Sequence, residues 1–232
     1  MLLAVPEGVT VEPAEVLVNQ DEENWIEASA QVITEKDKHV SIVGYAIAQD
    51  ESKPYLAYFN ISSNGKITIN PDTKDKLIAG EHYTLSLRLT TLAGNHMYAD
   101  AVTFKVVAKP RNLFYIEQEF MPDLFEIEQQ GESVIPTIEG SKENLKFTIK
   151  SVTPETSAFN IDTTTGQISI PEGHNLTATE TPYVFDITVE NAYGSTDFKA
   201  VYSVKIVTFI EPIVPEKFHY TPINSFYLLE VN

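Results

Sequence analysis

Apolar and polar residues alternate along most of the chain, and helical spacing is nearly absent. The clearest alternating runs extend from Tyr83 to Thr91, from Ala101 to Val107 and from Tyr183 to Val189. Val, Ile, Thr, Tyr and Phe dominate these runs, whereas Gly, Pro, Asn and Asp occupy the breaks between them. The pattern predicts an all-β protein in which only residues 71–80 are expected to hold a helical turn.

One strand–turn–strand motif occurs twice. Residues 59–69 read Phe-Asn-Ile-Ser-Ser-Asn-Gly-Lys-Ile-Thr-Ile, and residues 159–170 read Phe-Asn-Ile-Asp-Thr-Thr-Thr-Gly-Gln-Ile-Ser-Ile. Downstream, Tyr83 and Tyr183 open alternating strands that are 100 residues apart in the chain. This offset persists to the turn glycines, Gly94 and Gly194. We therefore expect two similar domains in tandem.

The repeat predicts domain 1 at residues 1–108 and domain 2 at residues 109–208, each with about seven short antiparallel strands. Such a count in roughly 100 residues is typical of an immunoglobulin-like β-sandwich. For domain 1 the pattern predicts strands at residues 25–33, 40–48, 55–61, 66–69, 83–91 and 101–107.

The remaining residues, 209–232, contain an echo of the start of domain 2. Pro215-Glu-Lys-Phe-His-Tyr220 follows domain 2 much as Pro110-Arg-Asn-Leu-Phe-Tyr115 follows domain 1. We expect this C-terminal segment either to begin a third repeat or to dock as a strand on domain 2.

Composition narrows the classes of function. The chain has 43% hydrophobic and 21% charged residues, which is enough for each copy to bury its own core. It contains no cysteine, so disulfides, thiolate metal sites and cysteine nucleophiles are excluded. A net charge of −17, spread evenly over both copies, repels phosphates and anionic lipid. We therefore expect no nucleic-acid partner and no direct membrane insertion.

The segments Phe159-Asn-Ile-Asp162, followed by Gly166-Gln-Ile, and Tyr183 to Gly194 carry a family resemblance. They resemble the cadherin-like and Ig-like repeats of bacterial surface proteins, above all those of Bacteroidetes outer-surface lipoproteins. The resemblance covers both copies. It implies two Ig-like sandwiches that serve as adhesion, spacer or glycan-capture modules at the cell surface, with any lipoprotein leader absent from this chain.

The acidic residues that bind calcium in cadherins are missing at the matching positions. The strand that carries Asp-x-Asp in calcium-binding cadherins reads Ser86-Leu-Arg88 in copy one, and the linker is Ala108-Lys-Pro-Arg111. Calcium needs six or more oxygen ligands, several of them anionic. We therefore expect no cofactor and no metal, and a calcium-dependent cadherin-type adhesin remains an alternative.

Five aromatic residues are candidates for ligand binding, because Trp and Tyr rings stack on sugars. Trp25 with Tyr55 and Tyr58 is one candidate glycan-binding face, although a lone tryptophan also commonly fills the core of a sandwich domain. Tyr98 and Tyr193 lie near the turn glycines, and loops carry function on such scaffolds.

Two further residue types are interpreted structurally. Tyr83 and Tyr183 resemble the tyrosine corner of sandwich folds, in which the hydroxyl bonds to backbone upstream. The histidines are scattered without metal-ligand spacing, so we expect them on the surface or in turns.

These observations predict a non-enzymatic module of an extracellular bacterial surface protein that acts as a spacer and binding scaffold. Its expected partner is a surface polysaccharide or another surface protein. An accessory pair of domains in a carbohydrate-active enzyme is a further alternative. No catalytic residues are predicted, because no nucleophile elbow, phosphate loop or zinc-protease motif occurs in the chain.

Overall fold

A computed structural model describes residues 6, 8–34, 41–116 and 122–208. Domain 1 holds two four-stranded sheets, ordered β1-β3-β6-β5 and β2-β8-β7-β4. Its strands are β1 (Thr10–Glu12), β2 (Glu15–Asn19), β3 (Ser29–Ile33), β4 (Ile42–Ile47), β5 (Phe59–Ile61), β6 (Lys66–Ile69), β7 (His82–Thr91) and β8 (Gly94–Val107).

Domain 2 holds one four-stranded sheet, ordered β10-β17-β16-β13, and two smaller sheets, ordered β11-β15-β14 and β12-β9. Its strands are β9 (Arg111–Phe114), β10 (Asp123–Glu126), β11 (Gly131–Glu132), β12 (Thr137–Glu139), β13 (Lys146–Thr153), β14 (Asn160–Ile161), β15 (Ile168–Ile170), β16 (Tyr183–Asn191) and β17 (Gly194–Val207).

Each domain has its own hydrophobic core, built from the inward positions of these alternating strands. In β7 every second residue is buried, from Tyr83 to Leu89, and its partner strand β8 contributes Phe104. In domain 2 the matching strand β16 buries Tyr183 to Val189 in the same way. Alternation thus sends one face of each strand into a sandwich core. The predicted all-β, tandem Ig-like architecture is confirmed.

The predicted offset of 100 residues is visible in the strand register. Tyr83 lies opposite Phe104 in the β7–β8 hairpin, and Tyr183 lies opposite Val204 in the β16–β17 hairpin. Both ladders shift register at the same place, between Leu85 and Leu87 and between Phe185 and Ile187. The two copies therefore share an irregularity as well as a strand pattern.

One strand pair in each domain is parallel, although the pattern predicts antiparallel strands. β2 runs parallel to β8, and β10 runs parallel to β17. In domain 1 the chain leaves one sheet after β1, passes Pro13 and joins the other sheet as β2. Proline cannot donate a ladder hydrogen bond, so it suits the point where a strand changes sheets.

Domain 1 contains three 3₁₀ helices, two of which replace parts of predicted strands. The predicted turn in residues 71–80 is confirmed as η3 (Pro71–Lys76), whose first turn is capped by the Asn70 side chain. The strand predicted over residues 25–33 is wrong at its start, because η1 (Trp25–Glu27) precedes β3. Likewise η2 (Pro54–Tyr58) precedes β5, since Pro54 has its φ preset for a helical start.

Two predictions fall on residues outside the described part of the chain. These are the C-terminal segment 209–232, whose role as a third repeat or a docked strand stays a prediction, and the placement of His39 and His219. Across the described residues, no helix has the length and apolar character needed to cross a bilayer.

Candidate functional site

The two domains meet at Ala108, whose backbone is bonded on both sides. The Ala108 amide donates to Ser141 Oγ at 3.1 Å, and its carbonyl accepts from the Ser141 amide at 3.0 Å. Asn191 Nδ2 also donates to the Ala108 carbonyl at 2.8 Å, and to the Ser141 carbonyl at the same distance. Ala108 and Ser141 are both buried, so these bonds are shielded from competing water. The end of domain 1 is therefore tied to two segments of domain 2.

Residues after Ala108 make further bonds along the linker. The Lys109 amide donates to the Asp21 carboxylate at 2.6 Å, and Arg111 Nη2 lies 3.4 Å from the same carboxylate. Thr196 Oγ1 donates to the Pro110 carbonyl at 2.6 Å. Gly140 packs so closely that a Cβ there would lie 2.5 Å from the Lys109 carbonyl oxygen, and its φ of +102° suits only glycine. The linker backbone is thus bonded to side chains of both domains.

Glu143 links the domains electrostatically. Its carboxylate accepts from Tyr193 Oη at 2.7 Å and from Lys105 Nζ of domain 1 at 3.2 Å. The hydrogen bond from Tyr193 and the one from Lys105 hold the pKa of Glu143 below its usual value. Lys105 Nζ also lies 5.8 Å from the centre of the Tyr193 ring, within cation–π range.

A groove of about 700 Å³ opens beside this junction. The wall from domain 1 is formed by η1 and by the segment from η3 to the start of β7. Its lining side chains include Trp25, Lys74, Asp75, Ile78 and Glu81. Trp25 is half-buried and packs against the core of domain 1, while Ile78 is 62% exposed. One face of domain 1 therefore presents an aromatic ring, an aliphatic side chain and charged groups to the groove.

Domain 2 supplies the opposite wall through β9, β12 and the turn that follows β12. Arg111, Ile138, Glu139 and Lys142 line it. Lys142 Nζ donates to the Ile138 carbonyl, and partial burial lowers the pKa of Lys142. Asn112 Nδ2 donates to Glu139 at 2.7 Å. The polar side chains on this wall are therefore held by neighbours before any ligand enters.

The structure separates the predicted aromatic face into two places. Tyr55 and Tyr58 lie three residues apart in η2, where a 3₁₀ helix brings such side chains to one side. Both rings pack edge-on against Tyr83, with centroids at 5.2 Å and 6.1 Å. Tyr55 Oη donates to the Thr84 carbonyl at 3.0 Å. Trp25, by contrast, lines the interdomain groove.

The other two candidate tyrosines lie in different parts of the molecule. Tyr98, on β8, donates to the Pro6 carbonyl at 3.3 Å, and burial raises its pKa. Tyr193, in the β16–β17 turn, borders a second cavity of about 280 Å³ beside Glu143, His82 and Lys105. Trp25 and Tyr193 therefore both lie at the domain junction, and Tyr98 does not.

The tyrosine-corner prediction is confirmed for Tyr83. Its hydroxyl accepts the hydrogen bond of the Ile78 amide at 2.9 Å, five residues upstream, and burial raises its pKa. Tyr183 occupies the same position in domain 2 and packs edge-on against Phe159 at 5.4 Å. Its hydroxyl makes no hydrogen bond within the described residues, so the prediction is wrong for Tyr183.

The histidines are predicted on the surface or in turns, and His174 directly follows the turn at residues 172–173 but is buried. This side chain is 6% exposed, its Nε2 lies 3.0 Å from the Glu126 carbonyl, and its Nδ1 accepts from the Leu176 amide. The ring is thus hydrogen-bonded to backbone groups on both sides. Within the described residues no group of three or more His, Asp or Glu side chains is placed to hold a metal ion.

Family comparison assigns both domains. Residues 5–106 match the model of the second Ig-like domain of BT4661, and residues 125–207 match the model of its third Ig-like domain. The two matches are consecutive. The first spans the core of domain 1, and the second spans the core of domain 2 except for Leu113 and Tyr115. A search of curated proteins gave no match.

Solved structures with similar folds are Ig-like and cadherin-like. The chain is 15% identical to the human desmocollin-1 ectodomain over 84% of this chain and 38% of that one, with a TM-score of 0.45. It is 12% identical to human protocadherin-24 EC1-2, over 89% of this chain and 100% of the protocadherin chain, with a TM-score of 0.43. It is 19% identical to titin domains I67–I69 in an E-to-A variant. That match covers 77% of this chain and 58% of the titin chain, with a TM-score of 0.37. The chain spans little more than half of the titin fragment and about two fifths of the desmocollin ectodomain.

Proposed function

We propose that this chain, a tandem of Ig-like domains of the BT4661 type, is a non-enzymatic module that binds carbohydrate in the groove between its domains. Ig-like and cadherin-like domains are typical of extracellular modules, and we place this one at the bacterial cell surface. The observation that carries the proposal is the position of Trp25, the only tryptophan of the chain, in that groove.

The groove has the dimensions and lining of a ligand site. Small-molecule sites are typically clefts of about 300–1,000 Å³ with apolar walls and a few placed polar groups. Here Trp25 and Ile78 of domain 1 and Ile138 of domain 2 supply the apolar contacts. A sugar ring would place its C–H face on the indole and direct its hydroxyls to the charged side chains around it.

The charge of the groove favours an uncharged ligand. Three cationic side chains and three anionic side chains line it, namely Lys74, Arg111, Lys142, Asp75, Glu81 and Glu139. The lining is thus neutral, although the whole chain carries −17. Such a surface offers hydrogen-bond donors and acceptors in equal measure without attracting a polyanion, which suits a neutral, hydroxyl-rich polysaccharide.

The hydrogen-bonded junction supports a second part of the proposal, a spacer role. A ligand site formed by two domains requires that the domains keep their relative position. The bonds to Ala108, Lys109 and Pro110 fix the linker to both domains, and Glu143 adds an ion pair across the junction. The same contacts would hold a bound glycan at a fixed distance from whatever the chain is attached to.

The single tryptophan provides a direct test. Glycans retained on an array are titrated into the parent protein while Trp25 emission is recorded, and a saturable spectral shift is expected. Trp25→Ala should weaken binding at least tenfold, because it removes the stacking platform. Trp25→Phe should retain part of the affinity.

Tyr98→Ala is the matched control, because Tyr98 lies outside the groove. This variant should bind the glycan with the same affinity as the parent protein. Thermal unfolding of each variant verifies that it is folded. Retention of no glycan by the parent, or equal affinity in Trp25→Ala, would contradict the proposal.

A further inference from the structure

The two domains contain equivalent hairpins in different surroundings. In domain 2 the β16–β17 hairpin receives the end of domain 1: Asn191 bonds the Ala108 carbonyl and Thr196 bonds the Pro110 carbonyl. Gly194, at the turn, packs against the Lys109 side chain, which lies 3.3 Å from the position of a Cβ on that glycine. This hairpin end of an Ig-like domain is therefore a surface on which the C-terminal end of a preceding domain docks.

The β7–β8 hairpin of domain 1 has the same position in its own domain, 100 residues earlier. Its polar side chains bond to each other. Thr91 Oγ1 lies 3.0 Å from His96 Nε2, and Thr90 Oγ1 donates to Asn95 at 2.7 Å. A Cβ on Gly94 would meet no atom within 4 Å. Within the described part of the chain, the turn of this hairpin is uncovered.

Large apolar side chains surround this uncovered turn. Leu92 is 67% exposed in the turn itself, and Val43 is 62% exposed on β4, which pairs with β7 beside Thr90 and Thr91. Met97, on β8, is also 62% exposed. Water-exposed apolar groups collected at one end of a domain mark an interaction surface. The position equivalent to Leu92 in domain 2 is Ala192, so the covered hairpin lacks this side chain.

The segment that follows each domain has the same polarity as the hairpin on which it would dock. Domain 1 ends at Ala108 and is followed by Lys109-Pro-Arg111, and the hairpin that receives this linker presents Asn191 and Thr196. Domain 2 is followed by Phe209-Ile-Glu-Pro-Ile-Val214, which has four large apolar residues in six. A polar linker thus lies on a polar hairpin, while an apolar segment of the same chain has an apolar hairpin as its counterpart.

From this pairing we infer that the Val43, Leu92 and Met97 surface docks a second copy of this chain head to tail, through residues 209–214 of that copy. The contact repeats between molecules the arrangement that already joins domain 1 to domain 2. It uses two different surfaces, so it is heterologous, and a dimer formed through it has no two-fold symmetry.

Sedimentation velocity of the full chain over a concentration series tests the inference. The weight-average sedimentation coefficient should rise with concentration. Leu92→Asp and Phe209→Asp should each lower the association constant at least tenfold, because a carboxylate would be desolvated at the contact. Ile135→Asp is the control, since Ile135 is a similarly exposed apolar residue of domain 2, and its association should equal that of the parent.

Mixing the two variants distinguishes a head-to-tail contact from a symmetric one. Leu92→Asp keeps an intact C-terminal segment and Phe209→Asp keeps an intact hairpin, so a mixture should form 1:1 dimers and nothing larger. A parent that stays monomeric at all concentrations would overturn the inference. So would an association that Phe209→Asp leaves unchanged, or one that Ile135→Asp abolishes.

Discussion

The hydroxyl of Tyr83 connects the start of β7 to the loop that leads into the groove. It accepts the amide hydrogen of Ile78, whose side chain lines the groove next to Leu77 and Ala79. The Tyr83 ring meanwhile packs among Tyr55, Tyr58 and Phe59. One side chain thus couples the aromatic cluster of the core to the loop that carries a wall of the candidate site.

Tyr83→Phe should lower the free energy of unfolding by about 1 kcal/mol, because it removes the partner of a part-buried amide and keeps the ring. Tyr183→Phe is the matched control, since Tyr183 has no hydrogen bond through its hydroxyl within the described residues. It should change stability by less than half as much. Urea unfolding at neutral pH measures both, and equal losses in the two variants would argue against a distinct role for the Tyr83 hydroxyl.

The shared bulge shows how the hairpins of both domains are built. At the register shift the backbone turns left-handed, with φ of 47° at Asp100 and 51° at Ala200. A side chain of the partner strand holds each amide: Ser86 Oγ accepts from Asp100 at 3.0 Å, and Asp186 Oδ1 accepts from Ala200 at 2.8 Å. Aspartate tolerates this conformation better than alanine does, so domain 2 carries more backbone strain at the bulge.

Ala200→Gly should therefore stabilise the protein by about 0.5 kcal/mol, since relief of left-handed strain exceeds the entropy that glycine adds to the unfolded chain. Ala30→Gly, at a buried position of β3 with ordinary strand geometry, should instead destabilise it by about 1 kcal/mol. Chemical denaturation of both variants checks the difference in sign. A loss of stability in Ala200→Gly comparable to that in Ala30→Gly would refute the strain argument.

Alternation predicts the strands well where one face is buried and the other is solvated. β6 begins and ends where the pattern places it, and β7 differs by one residue. β8 begins at Gly94, seven residues earlier than predicted. Residues 94–100 are mostly exposed, so they show no alternation of buried apolar residues from which a strand could be predicted. The sequence pattern gives no sign of the helical start at Trp25, because a three-residue 3₁₀ turn contains too few positions to show a period.

The candidate site was predictable on one side only. Trp25 is a candidate ligand-binding residue from its residue type alone. Ile138 and Lys142 lie more than 100 residues away in the chain and belong to no motif. Their proximity to Trp25 depends on how domain 2 docks. That docking depends on the fit of Gly140 against Lys109 and on the bonds of Ser141 and Asn191. Pairwise spacing within one strand or turn carries no information about such a contact.

The Glu143 carboxylate at the domain junction should make the stability of the protein depend on pH in the acidic range. The folded state lowers the pKa of Glu143 below its usual value of 4.5, first through the bond from Tyr193 and then through Lys105. Folding therefore favours the carboxylate. Its stabilisation is fully present above about pH 4.5 and is lost as the pH falls through the lowered pKa.

Glu143→Gln should accordingly be less stable than the parent at pH 6, and the difference should shrink at pH 3.5. The effect should be modest, because Glu143 is solvent-exposed and salt screens the ion pair. Urea midpoints of both proteins at the two pH values measure it. Glu132→Gln is a control for general charge loss, and a difference that stays constant with pH would exclude Glu143 as a source of acid sensitivity.

The bonding of Ala108 also bears on proteolysis. A protease binds its substrate as an extended strand whose amides and carbonyls pair with the enzyme, so cleavage requires several consecutive residues with free backbone groups. In this linker the Ala108 amide and carbonyl, the Lys109 amide and the Pro110 carbonyl are already taken by Ser141, Asn191, Asp21 and Thr196. Arg111, which is followed by Asn112, would otherwise mark a tryptic site between two globular domains. The molecule is thus protected from being cut in two at the point where a tandem protein is usually most vulnerable.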